Sequence, residues 1–128
     1  MNQVVPFGVD VGGRTIEVRP LTVRERMLLA ERFAESERSK AIALSKSLSM
    51  PPKDAAEFVS ARASEAERMS AFVMSLFTLE GAMAVLLKAC ASPSDAEAIG
   101  SALEPAAVGR IAARCLNIAV AEDSQGNA

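Results

Sequence analysis

The sequence predicts a mostly α domain that opens with one β-hairpin. Three observations carry this reading. Strict alternation of apolar and polar residues is confined to the stretch before Pro20, and helical spacing governs the rest of the chain. Hydrophobic residues make up 50% of the chain, yet the five aromatics are all Phe. A core of Ala, Leu, Val and Met suits close helix packing better than a β-sandwich. The 128 residues are read as a hairpin over 1–21, a helical domain of about four helices over 22–121, and a fraying tail over 122–128.

The hairpin is read from "PFGVDVGGRTIEVRP". With Gly12 and Gly13 at the centre of a tight turn, Val11 faces Arg14, Val9 faces Ile16 and Phe7 faces Val18. Asp10 then faces Thr15 and Gly8 faces Glu17, so one face is apolar and the other polar. Pro20 ends the second strand, because it has no ladder donor. Two strands are marginal alone, so this face must be covered. Two roles stay open: capping the helical core, or adding its free edge to another chain's sheet.

Thr22 and Glu25 form a T-x-x-E capping box that starts the first helix. Met27, Leu28, Ala30, Phe33, Ala34, Ala41, Leu44 and Leu48 continue it, exposed or bent around the polar "ESERSK", until "SMPPK" stops it. A second helical region opens at Pro52 and reaches Cys90. Two helices meeting near a Ser64/Glu67 capping box would fit, with Gly81 a further weak point. One long helix is preferred, because "SARASEAERMSAF" holds neither Gly nor Pro. Pro93 begins a short helix, read as capped by Ser94 with Glu97 and loosened by Gly100. Pro105 begins the last one, which turns Val108, Ile111, Ala112, Cys115, Leu116 and Ile118 to the core.

Composition argues against several functional classes. Histidine is absent, which removes the commonest acid/base group and metal ligand. Cys90 and Cys115 are far apart in sequence and read as buried free thiols rather than a zinc pair or a disulfide. Neither a metal nor a cofactor is expected. The N-terminus has no basic start and apolar run, so a cytoplasmic location is expected. The apolar run Ala71 to Cys90 is interrupted by Glu80 and Gly81, which argues against a membrane span.

No catalytic constellation emerges. Glu65 with Glu67, and Asp95 with Glu97, sit two apart at helix starts, where their side chains diverge. Gly12-Gly13 lacks the P-loop and dinucleotide patterns. Arg14, Arg19, Arg24 and Arg26 form a loose basic cluster, but Lys+Arg 14 against Asp+Glu 16 leaves no basic chain for nucleic acid. The last two helices have a helix–turn–helix rhythm, with only Arg110 and Arg114 to offer a base.

The most informative apolar feature runs from Met69 to Cys90. Met69, Phe72, Leu76, Leu79, Met83, Leu86 and Cys90 recur every three or four residues, while Val73, Phe77 and Val85 lie on other sides. Such a helix is buried from several directions. A central core helix is the favoured reading; the functional one makes part of the stripe a docking surface, since Met, Phe and Leu tolerate varied partners. Phe72, Leu76, Leu79 and Met83, with Val9 and Ile16 on the hairpin, are the candidate partner-binding residues.

The opening "VDVGGRTIEVRPLTVRERMLLAERF" resembles the N-terminal part of tail assembly chaperones of long-tailed bacteriophages. Val9, Gly13, Thr15, Val18, Arg19, Pro20, Leu21 and Thr22 carry the likeness. The resemblance implies a non-enzymatic helper that covers the tape-measure protein, and brings tail-tube subunits to it, in the host cytoplasm. It supplies no catalytic residue to transfer. Two alternatives are a small virion structural protein, as a connector or minor tail component, and, less favoured, a DNA-binding regulator. Self-association stays open.

Overall fold

The computed structural model describes residues 5–118. Strands β1 (Phe7–Val11) and β2 (Arg14–Val18) pair antiparallel in the register read from the sequence, Phe7 with Val18 through Val11 with Arg14. Gly12 and Gly13 both take positive φ, 56° and 83°, which a side chain would oppose. Val9, Val11, Ile16 and Val18 are buried on one face. On the other, the Thr15 hydroxyl donates to Asp10 at 2.8 Å.

The hairpin is fastened to the helical body just beyond its second strand. Val18 bridges to Cys90, the Arg19 amide donates to the Ala89 carbonyl at 3.0 Å, and the Leu21 amide donates to the Cys115 carbonyl at 2.9 Å. The Arg114 guanidinium lies 3.9 Å from the centre of the Phe7 ring. Among the described residues the hairpin therefore caps the helical core.

Helix α1 (Val23–Ser47) begins with the expected box: the Glu25 amide donates to Thr22 Oγ1 at 3.1 Å, and the Thr22 amide to Glu25 Oε1 at 3.0 Å. It runs unbroken through the polar 35–40 stretch. Ser49, at φ 53°, and the two prolines then turn the chain into α2 (Pro52–Ala66), which packs back along α1.

The long helix expected from Pro52 to Cys90 is not formed. Three helices take its place: α2, α3 (Met69–Ser75) and α4 (Leu79–Ala89), the last two at 86° to each other. The first break comes at Glu67 and Arg68, where hydrogen bonds tighten to i→i−3 and Arg68 becomes extended. Ser64 lies in the last turn of α2 and Glu67 is its C-cap, so they form no capping box. The second break uses Thr78, which is extended and whose hydroxyl accepts from the Gly81 amide at 3.1 Å. Burial supplies the reason for the bend. Phe72 and Leu76 before it, and Val85 and Leu86 after it, all enter one core, which a straight rod would not allow.

Helix α5 (Pro93–Ala102) is capped by Ser92, not Ser94: with Pro93 at the first helical position, the cap falls one residue earlier. Gly100 does not loosen it; the Met83 thioether packs there instead. Helix α6 (Pro105–Cys115) starts at Pro105 and ends before Asn117, at φ 57°. Val108, Ala112, Cys115 and Leu116 are buried, while Ile111 and Ile118 are half-buried. The chain is thus mostly helical behind an N-terminal hairpin, as the sequence predicts, with six helices among the described residues rather than about four; the expected tail over 122–128 lies outside them. The main core joins the hairpin face to α3, α4, α5 and α6.

Two positions put this packing to the test. A Cβ on Gly81 would overlap the Ser75 carbonyl, a backbone atom with little room to move. Gly81→Ala should therefore lower stability by roughly 1–3 kcal/mol, against the usual helical preference for Ala, as urea unfolding would show. At the base of α1, Arg19 bonds Glu25 at 2.9 and 3.0 Å. This guanidinium, then the Thr22 amide, lowers the Glu25 pKa from 4.5 to about 2. Its contribution is present at neutral pH and should fade as pH falls from about 4.5 towards 2. Unfolding measured across that window should show less acid loss in Glu25→Gln than in the parent.

Candidate functional site

One face of α1 presents Leu29, Arg32, Phe33, Ser36, Glu37 and Lys40 at successive turns. Across from it stand Ala71, Phe72, Met74 and Ser75 of α3, then Glu80, Gly81, Ala84, Val85, Leu87 and Lys88 of α4. Together they line a groove of about 930 Å³. It is larger than two neighbouring hollows of about 480 and 220 Å³ where α1, α2 and α3 meet. Leu29 to Lys40 covers about 16 Å, or three helical turns, at 1.5 Å per residue.

The bend between α3 and α4 makes this shape, since α3 supplies one part of the far wall and α4 the other. On the floor, Phe33 and Phe72 meet with ring centroids 6.0 Å apart. Met74 and Leu87 remain 68% and 49% exposed at its edge. Lys40 crosses one end, 3.3 Å from Glu37 and 3.6 Å from Glu80. The Arg32 and Lys88 side chains have neither an ion pair nor a hydrogen-bond partner among the described residues.

The six residues that the sequence marks for partner binding do not share one surface. Leu76, Val9 and Ile16 belong to the buried core, with Leu76 fully enclosed. Phe72 is 5% exposed and forms groove floor. Met83 is half-buried against Gly100. Leu79 is 59% exposed but lies outside the groove lining. The bend divides the stripe: Phe72, Leu76 and Leu86 are buried, while Met69 and Leu79 are exposed.

Sequence reasoning missed the α1 wall and the Met74, Ala84 and Leu87 rim. The recurrence of Leu29, Phe33, Ser36 and Lys40 was a usable signal for the first. Nothing in the spacing of the second reveals the bend.

The basic cluster is largely consumed internally. Arg14 pairs with Asp95 at 3.5 Å, Arg19 with Glu25, and Arg26 donates to the Leu116 carbonyl at 2.9 Å. Among the described residues no group of three His, Cys, Asp or Glu converges to hold a metal. Cys90 and Cys115 are free and buried. Burial pushes the Cys115 thiol up to about 12, with Cys90 nearby adding to it, and burial also raises Cys90. Neither is an activated nucleophile.

No single helix among the described residues is long and apolar enough to cross a membrane. Compared with protein-family models, curated proteins and solved structures, the chain matches none.

The placement of these residues separates fold from surface by mutation. Leu76→Ala should cost about 2–5 kcal/mol, as a buried cavity does. Leu87→Ser should stay within roughly 0.5 kcal/mol. Paired urea titrations of the two variants check the difference.

Proposed function

We propose that this protein is a helix-binding assembly helper, a tail assembly chaperone of a long-tailed bacteriophage. In this reading it covers amphipathic helices of the tape-measure protein in the bacterial cytoplasm, with tail-tube subunits as further partners. The groove between α1, α3 and α4 carries the reading: it is apolar at its floor, about three turns long and open to solvent. An amphipathic helix can lay its apolar face into such a groove. Met74, exposed at the rim, lets the groove adapt to helices of differing sequence. The chaperone identity itself rests on the resemblance of Val9 to Phe33.

The test is affinity capture of the tagged chain from infected or induced cells, with bound proteins identified by mass spectrometry. The parent should enrich one very long helical protein, with or without a tube subunit. A Met74→Ser/Leu87→Ser variant, folded by circular dichroism, should lose most of it. Recovery of connector or capsid proteins instead would favour a virion structural role, and recovery of DNA alone a regulator. Unchanged capture by the variant would remove the groove from the interaction.

A further inference from the structure

We infer that the groove selects an amphipathic helix of another protein whose apolar stripe is flanked by carboxylates. This rests on the reading of the groove as a helix-binding site. The argument for the occupant is charge complementarity. Three cations, Arg32, Lys40 and Lys88, face two carboxylates, Glu37 and Glu80, around the groove. Lys40 already engages both carboxylates, which also raise its pKa, the Glu37 hydrogen bond most of all. The two acidic groups are thereby occupied at one end.

Arg32 on the α1 wall and Lys88 on the α4 wall remain without a carboxylate among the described residues. They stand on opposite sides of the apolar floor. A docked helix with Glu or Asp flanking both sides of its apolar stripe meets a cation on each wall. A helix flanked by Lys meets two like charges. The apolar floor supplies affinity and the rim supplies selection. A second copy of this chain, whose α1 leaves Met27, Leu28, Ile42 and Leu44 exposed, is the competing occupant that the test separates.

The probes are two fluorescein-labelled model helices with the same Leu stripe, one flanked by Glu and one by Lys. Binding to the full chain is read by fluorescence anisotropy at low and high salt. The Glu-flanked helix should bind about tenfold tighter than the Lys-flanked one, with most of the difference lost in high salt. Arg32→Glu/Lys88→Glu, at an exposed and a half-buried position, should reverse the order while keeping the parent's circular dichroism.

Equal binding of both helices, with loss in Met74→Ser/Leu87→Ser, would overturn the charge selection and leave the groove reading standing. Binding of neither helix, or binding unaffected by Met74→Ser/Leu87→Ser, would overturn both. Concentration-dependent dimerisation in sedimentation, abolished by that same variant, would assign the groove to a second copy and overturn the proposal.

Discussion

The seating of the chain between Val18 and Leu21 is the constraint on which the rest depends. A two-stranded hairpin has too little buried area to hold itself, so its apolar face needs a floor. That floor is α4, α5 and α6, and the join is made by main chain: the Val18–Cys90 bridge and the amides of Arg19 and Leu21. The same few residues also start α1. Arg19 reaches Glu25, Glu25 closes the box with Thr22, and Arg26 reaches back to the Leu116 carbonyl. The hairpin thus fixes where a 25-residue helix begins and which way it leaves the core. One wall of the groove is set by that exit.

The other wall is set by a bend that burial imposes. Met69 to Ala89 is apolar over much of its circumference, and a straight helix would leave part of it without cover. Folding it at Thr78 brings Phe72, Leu76, Val85 and Leu86 into one core. The bend brings the backbone at Ser75 so close to Gly81 that a side chain there has no room. Met74 and Leu87 fall on its outer side, exposed at the groove's edge.

The sequence was most legible where a local rule has one solution. Gly12-Gly13 with alternation on both sides admits one register, and Pro52, Pro93 and Pro105 each stand at the start of a helix. It was least legible at Glu67–Arg68 and Leu76–Thr78, where Ser64/Glu67 and Gly81 offered only weak signs of a break and no Pro enforced one. There the helix and the extended conformation differ by little in propensity, and tertiary burial decides. Half of the groove shares this fate. The α1 face can be read from spacing, whereas its meeting with Met74 and Leu87 exists only after the bend.

This division of labour bears on how a small helical protein can bind without being built around one ligand. The enclosed side of the bend holds Leu76, Leu86 and Ile99 with no solvent contact, so its packing tolerates little change. The open side carries the exposed Met74 thioether, which can re-pack at small cost. Deep burial and adaptability are hard to combine in one surface; a sharp turn in an apolar segment puts them back to back. In the proposed reading, Arg32 and Lys88 on opposite walls then give this side its discrimination, because like charge is rejected even where apolar fit is permissive.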